Sequence, residues 1–462
     1  MAEGLTSLGG AESPGHKRIA LLPWGNVIED FLEGIGLTLD QFCERMSGGW
    51  LFGYAQALRM AGWDPVMVCV SRDAPAPLRR HHAPSGMPLW VLPAWRTYTA
   101  LARRMKNPHG WTVEGAFGWT PWFRLPDRWI RKELAPYFAT PLGALASVLR
   151  EEGCRALLVQ EYEQGRFDMC VLLGRWLRLP VLATFQGGDR HAGWLEALTR
   201  PVALRAASGL AVAAKAEAKR VVARYRVAPE RIWRVYNPID LDVWRPVPRA
   251  EARRALGIPA ETHVVIWHGR IERYRKGLDV LLDAWERVQA RADRPDARLL
   301  MLGSGADDDW LRDRLCTMPD SSIDWVDRYE LDRGRMRQCL SAADIYALPS
   351  RVEGLPVALL EAMACGLSVV ASEIPAVSEI FEQGDASGAI LVPPDSADQF
   401  AAALELLLRD AGVRSKLADA ARRTVEERFS LAAVSAQLGH MLTSATNDRV
   451  AAADGRAAAT SA

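Results

Sequence analysis

Short apolar, β-branched runs recur along this chain, and helix-patterned segments separate most of them. The runs are KRIALLP, DPVMVCVS, RALLVQEY, LPVLATFQ and GLAVAA in the first half, and HVVIWHG, RLLMLGSG, DIYALPS and LSVVAS in the second. The segment GLDVLLDAWERV between two of them places its apolar residues on one helical face. Continuous apolar strands that alternate with such helices predict parallel sheets buried on both faces. Two sets of runs therefore predict two doubly wound, Rossmann-like α/β domains.

A stretch rich in prolines and charges, VYNPIDLDVWRPVPRAEARRALGIP, separates the two sets and has the composition of a linker. We place the domain boundary within it, which gives an N-terminal domain over residues 17–245 and a C-terminal domain over residues 246–430. Residues 1–16 lack the basic and apolar regions of an export signal and are predicted to be a disordered leader. Residues 444–462, rich in Ala, Ser, Thr, Asp and Arg, are predicted to be a disordered tail.

Composition excludes several classes of protein. The 462 residues, 49% of them apolar, are enough for two domain cores, and a net charge of +1 gives no indication of a nucleic-acid partner. Seven cysteines form no CxxC pair, which predicts reduced thiols in a cytoplasmic protein and neither a disulfide framework nor a zinc site. No apolar run approaches the roughly 20 residues that a membrane span requires.

Ligands of open parallel sheets bind at the carboxyl ends of the strands, so the loops there are the candidate sites. GRIERYRKG follows HVVIWH and is either a cation cluster for a diphosphate or a solvated basic loop; its cations are Arg270, Arg273, Arg275 and Lys276. GSGADDD follows RLLML, where Gly303 either allows close approach of a ligand or forms a plain tight turn. Gly48 and Gly49 at the mouth of a helix in MSGGW either bind a phosphate or sugar, or serve in capping or packing.

Two carboxylates flank a predicted helix start in PSRVEGLPVALLEAMACG. Glu353 lies in the loop before the helix, and Glu361 lies within the helix. A helix N-terminus attracts anions, which favours a phosphorylated ligand. Because Glu353 would repel a phosphate, it would contact a hydroxyl-bearing part of that ligand. The alternative interpretation is an ordinary surface carboxylate followed by an ordinary helix residue.

The second half carries GRIERYRKG, then LGSG, then EGLPVALLE in this order, a combination that resembles the retaining family 4 glycosyltransferases of the GT-B fold. The similarity extends from KRIALLP and SGGW through VYNPIDLDVWRP to ILVPPD and RFS. It implies a nucleotide-diphosphate sugar as donor, bound mainly by the C-terminal domain. It implies a glycan, lipid-linked or small-molecule acceptor on the N-terminal domain, and a role in polysaccharide or glycoconjugate synthesis. It also implies that residues 431–443 form a helix returning to the first domain.

The resemblance assigns roles to individual residues. Arg270 and Lys276 would stabilise the departing diphosphate, Glu361 would accept the ribose hydroxyls, and Glu353 would hold hydroxyls of the donor sugar. The remaining donor-binding candidates are the three glycines above, a base-cradling residue and the helix start: Gly48, Gly49, Gly303, Leu331, Gly354, Leu355, Pro356 and Val357. Neither a cofactor nor a metal is expected, because fixed cations take the metal's place. A cation bound by the run Asp307 to Asp309 is the less favoured alternative.

The sequence departs from this family where VLATFQGGD places Gln186, because family members often carry a His there near the anomeric carbon. A Gln can donate a hydrogen bond but cannot become charged. The chain is therefore either an active transferase or a noncatalytic nucleotide-sugar-binding relative. Asp189 and Glu161 are acceptor-side candidates, with surface carboxylates as the equal alternative. The long loop WGNVIEDFLEGIGLTLDQFCERM after the first strand is expected to form an acceptor-side wall or a lid.

The segment from Trp90 to Trp129 combines six tryptophans with many basic residues. Aromatic and basic side chains together either stack on sugars or seat a protein on a membrane surface, here the inner face. Core packing with solvated charges is the more usual arrangement and is the one we expect.

Overall fold

The computed structural model describes residues 17–460 with gaps at residue 24 and at residues 34–35, 47–48, 103–104, 106–112, 186–192, 319–321 and 383–387. The predicted leader, residues 1–16, lies outside the described residues. The first sheet is built from β1 (Lys17–Leu22), β2 (Trp63–Ser71), β3 (Leu78–His82), β4 (Met87–Pro93), β5 (Cys154–Gln160), β6 (Val181–Thr184), β7 (Gly209–Ala211) and β8 (Ile232–Trp233). Their order is β3-β4-β2-β1-β5-β6-β7-β8, and only the edge pair β3 and β4 is antiparallel.

The second sheet is parallel throughout. Its strands are β9 (His263–His268), β10 (Ala297–Leu302), β11 (Ile323–Val326), β12 (Ile345–Leu348), β13 (Ser368–Ser372) and β14 (Ala389–Val392). They lie in the order β11-β10-β9-β12-β13-β14. The predicted fold class of two doubly wound α/β domains is therefore confirmed.

Helices cover both faces of each sheet. In the first half they are α1 (Leu39–Arg45), α2 (Gly49–Met60), α3 (Arg96–Ala102), α4 (Val113–Phe117), α5 (Leu125–Phe138), α6 (Leu142–Glu151), α7 (Gly165–Leu177), α8 (Trp194–Ala206) and α9 (Lys215–Tyr225). In the second half they are α10 (Arg249–Leu256), α11 (Arg273–Lys276), α12 (Leu278–Gln289), α13 (Asp308–Thr317), α14 (Arg333–Ala342), α15 (Val357–Ala364), α16 (Pro375–Ile380), α17 (Ala397–Arg409), α18 (Ala411–Arg428) and α19 (Leu431–Thr460). None of the described helices is both long enough and apolar enough to cross a bilayer.

The chain passes between the two domains twice, and the two passages lie side by side. The Ile239 amide donates to the Phe429 carbonyl at 2.7 Å, and the Leu431 amide donates to the Ile239 carbonyl at 3.2 Å. Tyr236 and Phe429 pack with ring centroids 4.6 Å apart beside this pairing. The predicted boundary at residue 245 falls in the first passage, between β8 and α10.

Helix α19 returns to the first domain, where it packs against α2 and β7. It continues to Thr460. The predicted helix end at residue 443 is therefore too early, and the part of the predicted disordered tail from residue 444 to residue 460 is helical instead. The cause is local composition: the run VAAADGRAAAT is dominated by Ala, the residue with the highest helix propensity.

The tryptophans between Trp90 and Trp129 divide into two groups. Trp90 lies on β4 and is 8% exposed, as expected for a core residue. Trp119, Trp122 and Trp129 are 79%, 81% and 44% exposed, so the expectation of core packing is wrong for them. Trp119 and Trp122 precede α5 and Trp129 lies within it; α5 packs on α3, α7 and α8 and leaves these rings outside. Trp111 lies outside the described residues.

Two carboxylates of the second domain bind the first domain next to the two interdomain passages. Glu379 accepts hydrogen bonds from the Lys215 and Ala216 amides, at 2.7 and 3.2 Å, and so caps α9 from across the interface. Glu382 pairs with the Lys215 ammonium at 2.9 Å and with the Arg234 guanidinium. Partial burial alone would raise the pKa of Glu382, but the hydrogen bonds from Lys215 and Arg234 outweigh it and bring the pKa down to about 2.

Glu382→Gln is expected to lower stability modestly at neutral pH and not at all in strong acid. Because the folded-state pKa lies below the ordinary value of 4.5, the stabilisation is present above pH 4.5 and is lost as the pH falls towards 2. For a partly exposed pair we expect ~1 kcal/mol or less at pH 7. Thermal unfolding of both proteins at pH 7 and pH 3 measures this. A difference in Tm that stays constant between the two pH values would contradict it.

Candidate active site

Two adjoining cavities lie between the domains. The smaller has a volume of about 260 Å³ and the larger about 590 Å³. Both take walls from each domain, and four side chains line both of them: Trp244, Arg333, Val357 and Glu361. The loops that follow strands of the second sheet therefore open into an interdomain cleft, where the sequence predicts a ligand.

The smaller cavity is formed mainly by the carboxyl ends of β9 and β10 and by the first turns of α15. The predicted residues Arg270, Gly303, Leu331, Val357 and Glu361 all line it. Gly354, Leu355 and Pro356 form the turn that leads into α15, with Pro356 at the N-cap. The N–H groups of the first turn of a helix have no intrahelical partner, so they are available to an anion.

Glu361 is held on the wall of the cavity by a histidine that the sequence did not indicate. His268 ends β9, and its Nε2 lies 3.1 Å from Glu361 Oε2. Glu361 Oε1 has no hydrogen-bond partner among the described residues and remains available to a ligand hydroxyl. Burial, reinforced by the Glu361 charge, raises the pKa of the neighbouring Tyr329 to about 12, so its hydroxyl stays protonated.

Lys276 and Glu353 form an ion pair beside the turn that leads into α15. The Lys276 ammonium lies 2.8 Å from Glu353 Oε1, and the Ser350 hydroxyl donates to the same oxygen at 2.7 Å. Their side chains are only 18% and 8% exposed. The structure thus brings together two residues that are 77 positions apart and were predicted separately. An ammonium group has three N–H donors, so Lys276 can retain Glu353 and still donate to a phosphate oxygen.

The two arginines of the smaller cavity differ in their surroundings. Arg270 is 45% exposed and pairs with Glu272 at 3.1 Å. Arg333, which the sequence did not single out, begins α14 and makes neither a hydrogen bond nor an ion pair with any described residue. Its Nε is buried. Burial lowers the pKa of Arg333, although Glu361 and Asp240 oppose the change. A partly buried guanidinium without a partner favours an anionic ligand at this position.

Gly303 is required by the neighbouring backbone. Its φ is +141°, and a Cβ at this position would lie 1.8 Å from the Gly269 carbonyl oxygen. Close approach of the loops after β9 and β10 therefore explains this glycine, and the same approach forms the floor of the cavity.

Gly303→Ala is expected to separate these loops and destabilise the protein by ~2 kcal/mol or more. Gly257→Ala is the matched control, because Gly257 also has a positive φ but no atom within 4 Å of its Cβ position. Nucleotide affinity should fall in Gly303→Ala alone. Urea unfolding and nucleotide titration of both variants measure this. Equal losses of stability and affinity in the two variants would show that the strained φ alone, and not the contact with Gly269, causes them.

The N-terminal side of the site is only partly described. Gly49 begins α2, whereas Gly48, Gln186 and Asp189 lie outside the described residues. Glu161 follows β5 with φ +108°, a strained value for a residue with a side chain, and its Oε1 accepts from the Glu163 amide at 2.9 Å. Glu161 therefore organises its own loop in this structure.

Gln160, the last residue of β5, is a candidate that the sequence did not indicate. It is 0% exposed, and neither its amide nitrogen nor its amide oxygen has a partner within the described part of the chain. A buried amide without partners costs free energy unless a ligand or water satisfies it. It lies at the carboxyl end of the first sheet, on the side where the resemblance predicts the acceptor.

A third cavity, of about 850 Å³, opens at the carboxyl ends of β2 and β4. The long loop after β1 supplies Glu29 to its wall, and Arg72 and Arg96 also line it. Glu29 Oε1 accepts from the Ser71 hydroxyl at 2.8 Å, while Oε2 is buried without a partner among the described residues. Burial raises the pKa of Glu29. This polar cavity is suited to a hydroxyl-rich molecule that also carries charge.

The acidic run after Gly305 is occupied by structural contacts. Asp307 accepts from the Arg273 amide at 2.6 Å, and Asp308 accepts from the Gly305 amide at 2.7 Å. Asp309 pairs with Arg312 at 2.8 Å. Across the described residues, no group of three or more His, Cys, Asp or Glu side chains is placed to hold a metal ion.

The sequence is similar to those of known glycosyltransferases. Residues 262–410 match the family model for glycosyl transferases group 1. A D-inositol 3-phosphate glycosyltransferase of Thermobispora bispora is 29% identical over 65% of this chain and 74% of its own length. A phosphatidyl-myo-inositol mannosyltransferase of Mycolicibacterium smegmatis is 35% identical over 41% of this chain and 47% of its own length. A GDP-mannose-dependent phosphatidylinositol monomannoside mannosyltransferase of Corynebacterium glutamicum is 34% identical over 45% of this chain and 55% of its own length. This chain thus spans about half the length of the last two relatives.

Solved structures with the same arrangement cover nearly the whole chain. A glycosyltransferase from Rickettsia africae superposes with a TM-score of 0.66 at 14% identity, over 93% of this chain and 99% of its own. A sucrose-phosphate synthase from Thermosynechococcus elongatus gives a TM-score of 0.62 at 20% identity, over 93% and 98%. Anabaena HepE in complex with UDP gives 0.64 at 15% identity, over 93% and 100%. At these identities the likeness establishes the fold, which is the GT-B fold.

Proposed function

This chain carries a group 1 glycosyltransferase domain within a GT-B fold, and from that premise we propose that it is a retaining, metal-independent hexosyltransferase of family 4. The observation that carries the proposal is the arrangement around α15. Glu361 and Arg333 line the smaller cavity, and within the described part of the chain Glu361 Oε1 and the Arg333 guanidinium have no hydrogen-bond partner. The Lys276–Glu353 pair lies beside the turn into the same helix. Anion-binding groups and hydroxyl-binding carboxylates in one place suit a nucleotide-diphosphate sugar.

The donor would lie along the smaller cavity. Leu331 and Tyr329 would flank the base, and Glu361 Oε1 would accept the ribose hydroxyls. Arg333, Arg270 and Lys276 would neutralise the diphosphate together with the N–H groups of α15. Glu353, oriented by Ser350 and Lys276, would hold hydroxyls of the donor sugar.

Transfer would proceed on one face of the sugar. The bond between the anomeric carbon and the phosphate oxygen breaks, and the nucleotide diphosphate leaves with the electron pair. The acceptor hydroxyl bonds to the anomeric carbon from the same side and gives its proton to the departing phosphate oxygen, so the anomeric configuration is retained. The fixed cations stabilise the charge that accumulates on the leaving group, the role that a divalent ion has in other transferases.

The acceptor would bind on the N-terminal domain, where the 850 Å³ cavity and Gln160 supply polar groups. The curated relatives carry names of enzymes that act on inositol phosphate or phosphatidylinositol, so we propose an acceptor of this class, a cyclitol or glycolipid headgroup bearing phosphate. Arg72 and Arg96 are available to such an acceptor. Gln186 and Asp189, which remain proposals for this side, would complete it.

Nucleotide release from UDP-, GDP-, ADP- and dTDP-hexoses tests the proposal. Each donor is incubated with inositol phosphate or with phosphatidylinositol in detergent, in the presence and absence of EDTA. We expect one nucleotide to be released faster with one acceptor, and no effect of EDTA. Donor binding without turnover under all conditions would instead support the noncatalytic alternative, and loss of turnover in EDTA would contradict metal independence.

A further inference from the structure

An apolar face on the N-terminal domain remains outside the proposed site. On α8, Trp194, Leu198 and Val202 recur at intervals of four residues and are 49%, 66% and 59% exposed. The opposite side of this helix is buried through Glu196, Arg200, Ala203 and Leu204. The spacing gives a single outward stripe of large apolar side chains, which soluble helices normally bury.

A second element extends this stripe. The Trp129 ring on α5 stacks on the Trp194 ring with centroids 6.1 Å apart and planes at 28°. Before α5, Trp122 and Phe123 are 81% and 62% exposed and meet edge to face at 6.1 Å. We call the surface formed by Trp122, Phe123, Trp129, Trp194 and Leu198 the aromatic face. Its members come from α8, from α5 and from the 3-10 turn Trp122–Arg124, which leads directly into α5 and contacts it.

Positive charge accompanies the aromatic rings. Residues 119–132 contain four basic side chains and one acidic side chain. Arg124 lies over the Phe123 ring at 5.9 Å, and Arg128 lies over the Phe117 ring at 5.2 Å. Neither guanidinium has a carboxylate partner among the described residues. Exposed indole rings beside cations that have no carboxylate partner in the described structure match the boundary between lipid headgroups and acyl chains, where rings insert and cations meet phosphates.

We propose that the aromatic face docks this protein on the surface of an anionic lipid bilayer. The excess of basic over acidic side chains in residues 119–132 is complementary to anionic lipid phosphates and favours this occupant. Position also supports the proposal. Trp194 lies in the first turn of α8, the helix after β6, so the face reaches the carboxyl edge of the first sheet. Gln160 and the acceptor-side loops lie on that same edge, so a docked protein would present them towards lipid headgroups.

Flotation of the full chain with vesicles tests the proposal. Vesicles of phosphatidylcholine with phosphatidylglycerol are compared with vesicles of phosphatidylcholine alone. We expect the protein to float with the anionic vesicles, and the variant W122A/F123A to lower the partition coefficient about tenfold or more. L406A is the control, because Leu406 is a 47% exposed apolar residue on α17 of the other domain, and it should float as the parent does.

Other outcomes would overturn the proposal. Absence of the parent protein from the anionic vesicles, or equal flotation of W122A/F123A and the parent, excludes docking through this face. A parent dimer in light scattering that W122A/F123A converts to monomer, without any flotation, would assign the face to a second copy of the chain. Nucleotide binding measured on the same preparations keeps this test separate from the proposed function, since both variants should bind donor as the parent does.

Discussion

Replacing Lys276 with alanine is expected to lower kcat by about a hundred- to a thousandfold, the range seen when one preorganised group that stabilises developing charge is removed. Lys276 is nearly buried, lies 2.8 Å from Glu353, and retains two N–H donors for the leaving phosphate. Its charge acts mainly as the diphosphate departs, so the effect on kcat should exceed the effect on KM.

Stability must be separated from catalysis in this variant. Removal of Lys276 leaves Glu353 with an uncompensated and largely buried charge, which we expect to cost ~1–3 kcal/mol. The double variant K276A/E353Q removes that charge and should recover most of the stability without recovering turnover. Arg275→Ala is the matched control, because this neighbouring cation on α11 is 44% exposed and its side chain faces Glu272 instead of Glu353. Turnover near the parent value in K276A, or equal losses in K276A and R275A, would contradict the assignment.

Arg333→Met is expected to weaken donor binding by about ten- to a hundredfold and to raise stability. Loss of a charge-assisted hydrogen bond to a phosphate or ribose oxygen accounts for the first effect. The second follows because the parent protein carries a partly buried guanidinium without a hydrogen-bond or ion-pair partner among the described residues, and methionine fills a similar volume without desolvating a charge. Opposite signs of the two effects are typical of a group maintained for binding at the expense of stability.

Calorimetric titration with the nucleotide and thermal unfolding measure the two effects. Arg335→Met is the control, since Arg335 lies on the same helix but contacts Glu330 at 3.5 Å and is 46% exposed. A stable Arg333→Met protein with unchanged nucleotide affinity would exclude Arg333 from the site. A destabilised protein would show that Arg333 contributes to the folded state in some other way.

The strands that the sequence predicts share one physical property. All nine runs became strands β1, β2, β5, β6, β7, β9, β10, β12 and β13, because strands buried on both faces need continuous apolar residues. Two of the missed strands lack this pattern, whereas β4 (MPLWVLP) and β14 (AILV) carry it but were not among the predicted runs. β3 reads LRRHH and leaves four of its five residues exposed at a sheet edge, and β8 is two residues long. Edge strands tolerate polar residues, so periodicity cannot reveal them.

Site residues that belong to a sequence motif could be predicted. Site residues that are distinguished only by their tertiary contacts could not. Glu353, Glu361 and Arg270 lie in loops and helix starts whose order along the chain resembles a known family. His268, Gln160 and Arg333 carry no local signal, since a histidine after a strand or an arginine among many is unremarkable in sequence. His268 is distinguished by its 3.1 Å contact with Glu361, Gln160 by complete burial, and Arg333 by the lack of a partner in the described structure. These properties exist only after folding.

Proton NMR of slow donor hydrolysis tests the central claim most directly. The purified protein is incubated with the donor that its nucleotide preference identifies, without acceptor, and the anomeric proton of the first sugar released is recorded before mutarotation. A retaining transferase releases the anomer present in the donor, and K276A should abolish the signal. Release of the opposite anomer would contradict the proposed same-face transfer, and an undiminished signal in K276A would contradict the site.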